Sequence, residues 1–389
     1  MAVLQHFYKL PKVRAENPCG IAEKPWPVLL LARKLDLGGS ERQLTEIAKS
    51  LDRSRFEPHV GFFRPGGLRA QELEAACVPA IHFPVSSLKS LDAVKAARKL
   101  AKFIRRRKIQ LVHTFDYPFT VFGTPVARLL TRAVVVSSQR AHRELMPESY
   151  LRLVRVTDRI VDAIIVNCEF LRRHLEREER VPAGKIHVCP NSIDIDAFSP
   201  RDTPNCGSLA IGTVCALRPE KNLETLLCAF SRVRQVSSGL RLTIVGSGVM
   251  LETLRRLAGA LGIEDACQFL PATANVADSL RAMDIFVLPS RSEALSNSLM
   301  EAMACGCCPV ASNVGGNPEL VRHGETGFLF APDDISGLSA LLTWLIINGS
   351  LRRRLASAAQ QSICEFRSSA VRMEQIYTQL IESHGRAAA

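Results

Sequence analysis

From residue 28 onward, the chain alternates between short runs of apolar residues and segments with helical periodicity. Val28 to Ala32 predicts a buried strand, and Ser40 to Leu51 has the spacing of an amphipathic helix. Four further strands are predicted in the first half, at residues 59–63, 111–113, 134–137 and 163–166. Continuous apolar strands separated by helices are typical of parallel sheets that are covered on both faces.

The alternation restarts after a stretch rich in Pro, Asp, Asn and Ser, residues 190–205, which predicts a linker. Beyond it, strands are predicted at residues 210–214, 242–245, 268–270, 285–288 and 309–311. The pattern therefore predicts an α/β fold with two Rossmann-like, doubly wound parallel-sheet domains facing each other across a cleft. The predicted parts are a loose N-terminal extension, two domains and a C-terminal helix that crosses back to the first domain, at residues 1–27, 28–200, 201–365 and 366–389.

Composition is that of a globular protein, since 47% of the 389 residues are apolar and 23% are charged. No run of about 20 apolar residues occurs, so no transmembrane helix is expected. The first 27 residues lack the hydrophobic core of a signal peptide. The 12 cysteines are scattered, which indicates reduced, buried thiols. Together these features predict a cytoplasmic protein.

Charge is distributed unevenly along the chain. Lys and Arg outnumber Asp and Glu by 12, and the whole excess falls within residues 1–200. The densest basic run is Lys95 to Lys108. When the segment is read from Val94, five apolar side chains can share one helix face: Val94, Ala97, Leu100, Ala101 and Ile104. Such a helix either contacts an anionic surface, such as the inner face of the cell membrane, or packs its apolar face on a sheet. No aromatic-rich basic motif accompanies the charge, so nucleic acid is not expected as a partner.

Two carboxylates eight residues apart, Glu293 and Glu301, mark the most informative segment. A buried strand pattern precedes them, and the turn Ser296-Asn297-Ser298 leads into a helical run. If the helix begins near Ser296, its free N–H groups and the positive end of its dipole lie between the two carboxylates. Because a diphosphate can bind such N–H groups, we predict a nucleotide diphosphate sugar site here. The alternative is two ordinary Glu side chains on a surface helix.

A pair of glycines, Gly38 and Gly39, follows the first predicted strand. Glycines at such a turn let the backbone come close to a phosphate or a sugar, although a purely structural turn is the alternative. Ser40 and Gln43 have the spacing of a capping box, so they are predicted to cap the following helix.

Two cations, Arg218 and Lys221, follow the first strand of the second half. Arg presents a planar fork and Lys a point charge to a diphosphate. Both could neutralise the charge that develops on a leaving phosphate. A solvated pair on the surface is the alternative interpretation.

Two other motifs predict neither a metal site nor a dinucleotide cofactor. The cysteines at residues 305, 307 and 308 have no second Cys/His pair at zinc spacing. The turn Gly246-Ser247-Gly248 is similar to a dinucleotide fingerprint, but Leu251 occupies its third glycine position. We therefore expect no cofactor, with a nucleotide sugar as a substrate only.

In their order along the chain, these segments resemble the retaining glycosyltransferases of family 4, or glycosyl transferases group 1, whose two-Rossmann-domain architecture is called GT-B. The resemblance covers roughly residues 28 to 385, and an ordered set of this size is far more specific than any single motif. The matching pieces are Gly38-Gly39, His113, Pro190-Asn191-Ser192-Ile193-Asp194 with Phe198, Arg218-Pro219-Glu220-Lys221, Val245-Gly246-Ser247-Gly248, the Glu293/Glu301 pair, Val314-Gly315-Gly316-Asn317-Pro318-Glu319 and Gly324-Glu325-Thr326-Gly327.

The resemblance implies a role for each candidate residue. Glu301 would hydrogen-bond the ribose hydroxyls. Glu293, which would contact the sugar near the reacting carbon, and His113, on the acceptor side, would be the catalytic residues. The rest of the donor would be bound by groups from both domains: Gly38, Gly39, Arg218, Lys221, Ser296, Asn297 and Ser298. It also implies a metal-independent transfer with retention, from a UDP-sugar in preference to GDP- or ADP-sugars, to a glycan or lipid-linked hydroxyl acceptor.

Three positions depart from the family pattern. Ala216 stands where the family has a phosphate-binding Arg, Phe115 where it has a second His, and Ser192 where it has Gly. Two alternatives therefore stay open. One is a nucleotide-sugar epimerase or hydrolase of the same fold, which consumes the donor without an acceptor. The other is a non-catalytic nucleotide-sugar-binding partner of another transferase.

Overall fold

The computed structural model describes residues 24–36, 38–201, 209–237, 239–364, 366 and 369–388. Within these residues the chain forms two parallel sheets with helices between their strands, which confirms the predicted α/β fold of two doubly wound parallel-sheet domains. Most of the predicted N-terminal extension, and residues 202–205 of the predicted linker, lie outside the described residues. The first strand already begins at Trp26.

The first sheet has seven parallel strands in the order β3-β2-β1-β4-β5-β6-β7. Its strands are β1 Trp26–Ala32, β2 Phe56–Phe62, β3 Ala80–His82, β4 Leu111–Thr114, β5 Val134–Gln139, β6 Ala163–Val166 and β7 Ile186–Val188. Its helices are α1 Gly39–Ser50, α2 Leu68–Ala75, α3 Leu91–Arg106, α4 Tyr117–Leu130, α5 Glu148–Ile160 and α6 Glu169–Arg177. In β1, Leu29 and Leu31 pack into one hydrophobic core and Val28 and Leu30 into another, because both faces of the sheet are covered.

The second sheet has six parallel strands in the order β10-β9-β8-β11-β12-β13. Its strands are β8 Ala210–Val214, β9 Arg241–Val245, β10 Cys267–Leu270, β11 Ile285–Leu288, β12 Cys308–Ser312 and β13 Phe328–Phe330. Its helices are α7 Leu223–Val236, α8 Leu251–Ala260, α9 Val276–Arg281, α10 Asn297–Ala304, α11 Asn317–Leu320, α12 Ile335–Ile347 and α13 Gly349–Ile363. In both sheets the strand order reverses between the first and fourth strands. Ligands of such sheets bind beyond the carboxyl ends of the strands at this point.

The last helix, α14 Ser369–Ala388, packs against the first sheet rather than the second. Four of its side chains belong to the core beneath β1, β4 and β5: Met373, Ile376, Tyr377 and Ile381. The carboxylate of Glu374 accepts the backbone N–H of Asp52 at 2.7 Å. Helix α14 therefore packs on the domain that contains β1.

Helix α3 buries the predicted apolar face in its second half, but its first half is buried through residues other than the predicted ones. Its buried residues are Ala93, Ala96, Leu100, Ala101 and Ile104. The predicted Val94 is exposed and Ala97 is only half-buried, because the buried stripe follows the 3.6-residue period one position earlier. The apolar face packs into the hydrophobic core, so the cations of this helix form its solvent face.

Candidate active site

A cavity of about 950 Å³ lies between the two sheets, at the carboxyl ends of their strands. Residues of both sheets and of their loops line it. Glu293 and all the predicted donor-binding residues are among the lining residues: Gly38, Gly39, Arg218, Lys221, Glu293, Ser296, Asn297, Ser298 and Glu301. The structure therefore brings these nine residues together around one space.

Helix α10 begins at Asn297, with Ser296 as its N-cap. The hydroxyl of Ser296 accepts the backbone N–H of Leu299 at 3.4 Å, which stabilises this end of the helix. Glu293 lies in the loop before the helix, and Glu301 lies more than a turn inside it. The start predicted near Ser296 therefore agrees with the structure, and the N–H groups of the first turn lie between the two carboxylates.

The carboxylate of Glu293 is held by two partners from its own domain. Its Oε1 atom lies 2.5 Å from Nζ of Lys221 and accepts the hydroxyl of Ser290 at 2.7 Å. The Lys221 side chain is 19% exposed and that of Glu293 is 9% exposed. Burial is the largest single influence and acts to lower the pKa of Lys221, but the charge and hydrogen bond of Glu293, together with Cys215 and Glu220, outweigh it and the pKa is raised. The Lys is thus a fixed cation at the edge of the cavity.

The backbone around Glu293 is enclosed by the loop after β12. Gly315 has φ of +57°, and a Cβ at this position would lie 1.9 Å from the backbone carbonyl oxygen of Glu293. The next residue, Gly316, donates its N–H to the carbonyl of Ala294 at 2.8 Å. Only glycine fits here, because both the left-handed conformation and the close approach exclude a side chain.

The carboxylate of Glu301 is paired with a cation from the other domain. Nη1 of Arg42, on α1, forms an ion pair with Oε1 of Glu301. The two side chains are 19% and 6% exposed, so the pair is largely desolvated. Burial raises the pKa of Glu301, while Arg42 and Arg69 act to lower it. The predicted ribose-binding carboxylate is therefore part of an interdomain contact.

Amide side chains connect the two domains beside this ion pair. Asn297 Oδ1 accepts from Nδ2 of Asn191 at 2.7 Å and from Nε2 of Gln43 at 3.2 Å. Oε1 of Gln43 accepts the backbone N–H of Ser192 at 3.0 Å. The predicted capping box of Ser40 with Gln43 is therefore wrong. Helix α1 starts one residue earlier, at Gly39, and the Gln43 amide is used for contacts across the cleft.

Two cations follow β8 but differ in their surroundings. Lys221 is held by the largely buried carboxylate of Glu293, as described above. Arg218 is exposed and its Nη1 lies 3.7 Å from the carboxylate of Glu220, so it can turn toward a ligand. Ala216 also lines the cavity, at the position where the family pattern has an Arg.

Among the described residues, no three His, Cys, Asp or Glu side chains are grouped so as to hold a metal ion.

His113 does not reach the cavity. It lies within β4, fully buried, with Nδ1 2.6 Å from the hydroxyl of Tyr377 and Nε2 2.8 Å from that of Ser138. Burial, with Arg140 nearby, holds the pKa of His113 well below its usual value. A neutral imidazole bonded at both nitrogens ties α14 to the first sheet. In this structure the predicted catalytic position is a packing position.

Among the cavity residues that were not predicted as site residues are Arg42, Gln43 and Arg140. Arg42 and Gln43 stand directly after the Gly-Gly turn, and their helical spacing would have placed them near it. Arg140 follows β5, bonds Asn191 Oδ1 at 2.7 Å and lies 5.2 Å above the ring of Phe115. Phe115, at the missing second His of the family pattern, thus supports a cation at the cavity wall.

Comparison with known families divides the chain into two adjacent matches. Residues 37–197 match the profile described as Glycosyltransferase Family 4, and residues 196–362 match the one described as Glycosyl transferases group 1. N-acetyl-alpha-D-glucosaminyl L-malate synthase of Bacillus anthracis is 35% identical over 40% of each chain. D-inositol 3-phosphate glycosyltransferase of Streptomyces scabiei is 28% identical over 68% of this chain and 65% of its own. The matched parts thus span less than two thirds of these relatives.

A solved structure shows the same architecture. HepE of Anabaena in complex with UDP and glucose superposes with a TM-score of 0.80, at 23% identity, over 91% of this chain and 98% of that one. A likeness at this identity establishes the fold. The two sheets and the cleft between them form the GT-B arrangement.

Proposed function

Because this chain belongs to the glycosyltransferases of family 4, or glycosyl transferases group 1, we propose that it transfers a sugar from a nucleotide diphosphate sugar to a hydroxyl acceptor, with retention. One observation carries the proposal. Glu293 with Lys221, and Glu301, flank the N-terminus of α10 at the wall of one interdomain cavity. This combination offers an anion site next to two carboxylates that can bind hydroxyl groups.

In the proposed complex the diphosphate binds the first-turn N–H groups of α10, near Asn297 and Ser298. Lys221 and Arg218 approach it from the loop after β8, and Gly39 approaches from the first domain. Glu301 accepts the ribose hydroxyls and Glu293 contacts the sugar. We propose UDP as the nucleotide, since HepE, which shares the fold, was solved with UDP and glucose.

The transfer breaks the bond between the anomeric carbon and the phosphate oxygen, and forms a bond from that carbon to the acceptor oxygen. The acceptor attacks the face that the leaving group vacates, and its proton passes to the departing phosphate. Charge that develops on the leaving diphosphate is stabilised by Lys221 and the α10 N-terminus, fixed groups that need no metal ion. Lys221 already lies 2.5 Å from Glu293, so this cation also adjoins the proposed sugar position. We assign His113 no step, because it is buried and bonded at both nitrogens.

We propose that the first domain binds an anionic or lipid-linked acceptor at an anionic membrane. No helix in the described part of the chain is long and apolar enough to cross a bilayer. The apolar face of α3 is already buried, so contact must use its exposed cations within Lys95 to Lys108. At the amino ends of β4 and β5, the edge of the sheet opposite the cavity, exposed Leu129 and Leu130 line a groove of about 490 Å³ together with Arg105, Lys108 and Arg132. Apolar side chains ringed by cations suit an anionic lipid surface.

The donor site is tested by thermal denaturation with UDP-, GDP- and ADP-sugars, on the wild type and on Glu301→Ala. A ligand at about 100 times its Kd stabilises the folded state by roughly 2.7 kcal/mol. We expect UDP-sugars to raise the Tm of the wild type and to have no such effect on Glu301→Ala. If no donor raises the Tm of the wild type, the proposal is wrong. Binding without turnover on any acceptor would indicate a non-catalytic partner, and loss of donor without an acceptor would indicate an epimerase or hydrolase.

The membrane contact is tested separately by sedimentation with vesicles of phosphatidylcholine alone or mixed with phosphatidylglycerol. We expect binding to the anionic vesicles only, and its loss in Arg105→Glu/Lys108→Glu and in Leu129→Ser. Arg255→Glu, an exposed cation on α8, is the control with the same kind of charge reversal. If the wild type ignores anionic vesicles, and the charge reversals leave turnover on a lipid-linked acceptor unchanged, the membrane proposal is overturned.

A further inference from the structure

Arg42 is a residue of the first domain that completes the surroundings of a residue of the second. It lies in the first turns of α1, and its Nη1 pairs with Oε1 of Glu301 on α10. Its guanidinium also lies 4.9 Å above the ring of Phe198, in the segment between the domains. The edge of the guanidinium thus contacts Glu301 and its face contacts Phe198, and the two contacts together fix its position.

The charged groups around Glu301 are few. Arg42 makes the direct contact, Arg69 of α2 acts from a distance, and the thiol of Cys305 follows on the same helix. Arg69 already forms an ion pair with Glu72 at 2.6 Å, so it cannot replace Arg42 without breaking that pair. A carboxylate this buried is costly to keep ionised without a paired cation.

We infer that Arg42 is a positioning residue of the donor site, which holds Glu301 ionised and oriented so that it accepts hydrogen bonds from two ribose hydroxyls. The inference rests on the proposed role of Glu301 in donor binding. An ionised carboxylate has about four lone-pair sites, and Arg42 uses one of them, so enough remain for both hydroxyls. A protonated Glu301 has fewer acceptor sites and turns one oxygen into a donor.

The ion pair between Arg42 and Glu301 also depends on the closing of the cleft, because its two residues belong to different domains. Glu301 has its cation only when the first domain is close to the second. Arg42 therefore orients the carboxylate, and offsets the cost of burying it, only in the closed arrangement, which couples donor affinity to closure. Arg42 contacts the carboxylate of Glu301 but need not contact the nucleotide sugar itself.

The experiment compares wild type, Arg42→Met, Arg42→Lys and Lys49→Met by calorimetric titration with UDP between about pH 5 and pH 8. Lys49 is an exposed cation on the same helix outside the cavity, so its variant controls for loss of one positive charge. The second readout needs no nucleotide. The chemical shift of the Glu301 Cδ carbon is followed against pH by NMR, with Glu301→Gln identifying the signal.

The sign of the effect follows from the two ionisation states. Burial raises the pKa of Glu301 and Arg42 opposes this, so Arg42→Met raises the pKa further. Affinity for UDP then begins to fall at a higher pH as the solution is acidified. In the acidic range, raising the pKa of Glu301 by about one pH unit lowers the affinity about tenfold. Arg42→Lys keeps the charge and should retain the wild-type pH profile. Lys49→Met should not change it.

Three results would overturn the inference. If Arg42→Met binds UDP more tightly at every pH, Arg42 competes with the ribose for Glu301. If affinity falls by the same factor at every pH, Arg42 contacts the donor directly or acts only on folding. If the NMR titration of Glu301 is the same in Arg42→Met, Arg42 does not control its ionisation. This last result is obtained even if UDP fails to bind, so it is separate from a failure of the proposed function.

Discussion

The ion pair between Lys221 and Glu293 allows a prediction in which stability and activity separate. Lys221→Met leaves a buried carboxylate without its cation, and Glu293→Gln leaves a buried ammonium without its anion. The double variant removes both charges at once. If the pair acts as a unit, each single change should therefore be more harmful to folding than the double change.

The size of the effect follows from the geometry. Removing one partner of a buried pair costs about 3–5 kcal/mol. Lys221 remains 19% exposed, so the lower end is appropriate for this pair. About 3 kcal/mol corresponds to a fall in Tm of roughly 6–12 °C for a domain of this size. The double variant should recover most of that fall, while the isosteric Gln can still accept the hydroxyl of Ser290.

The assay is differential scanning calorimetry of the unliganded protein, following the transition of the second domain. Arg255→Met removes an exposed cation whose carboxylate partner, Glu252, lies 3.4 Å away, and it should leave that transition unchanged. Turnover gives the second readout. Because both residues are proposed to act on the donor, the double variant should stay inactive although its stability returns. If the double variant loses as much stability as the two single variants together, the pair is not coupled and the reasoning fails.

Three further predictions concern the loop that encloses Glu293, a contact between the domains and the need for a metal ion. Gly315→Ala should lower both Tm and turnover, because its Cβ would lie 1.9 Å from the backbone oxygen of Glu293. Gly324→Ala is the control: its φ is also positive, but a Cβ there has nothing within 4 Å, so it should lower Tm alone. Glu319→Gln removes the carboxylate that accepts the first N–H groups of α6 at 2.9 and 2.8 Å, so small-angle scattering should show a larger radius of gyration than for wild type. Burial raises the pKa of Glu319 in the closed arrangement, so protonation favours that arrangement and acidification of the wild type should not enlarge the radius of gyration. Turnover should survive dialysis against a chelator, and a loss restored by a divalent cation would contradict the metal-independent transfer.

The architecture was predictable because both sheets are buried on both faces. Their strands read as apolar runs, as in Ile285–Leu288, and the predicted bounds differ from the observed ones by a few residues. Ala80–His82, Ile186–Val188 and Phe328–Phe330 were missed, since three residues are too few to show a pattern. The start of α10 was predictable for a local reason, because Ser296 is a favourable N-cap.

The contacts around the site were not predictable, because local motifs do not specify distant partners. Gln43 has capping-box spacing, but its amide bonds to Ser192 and Asn297 instead. His113 was placed at the end of a strand, whereas β4 continues to Thr114 and its backbone pairs with that of Val136 in the middle of the sheet. In each case a tertiary contact decided the role of a side chain whose neighbours in sequence suggested another.

The two carboxylates of α10 and its preceding loop obtain their cations from different domains, and this difference separates two tasks. Glu293 pairs with Lys221 of its own domain, so the groups next to the proposed sugar stay in place whether or not the cleft is closed. Glu301 pairs with Arg42 of the other domain, so the groups next to the proposed ribose depend on closure. A donor that has bound in an open cleft would therefore contact a Glu301 that Arg42 has not yet oriented. Because the first domain also carries the proposed acceptor side of the cavity, tight donor binding and acceptor placement would occur in the same step.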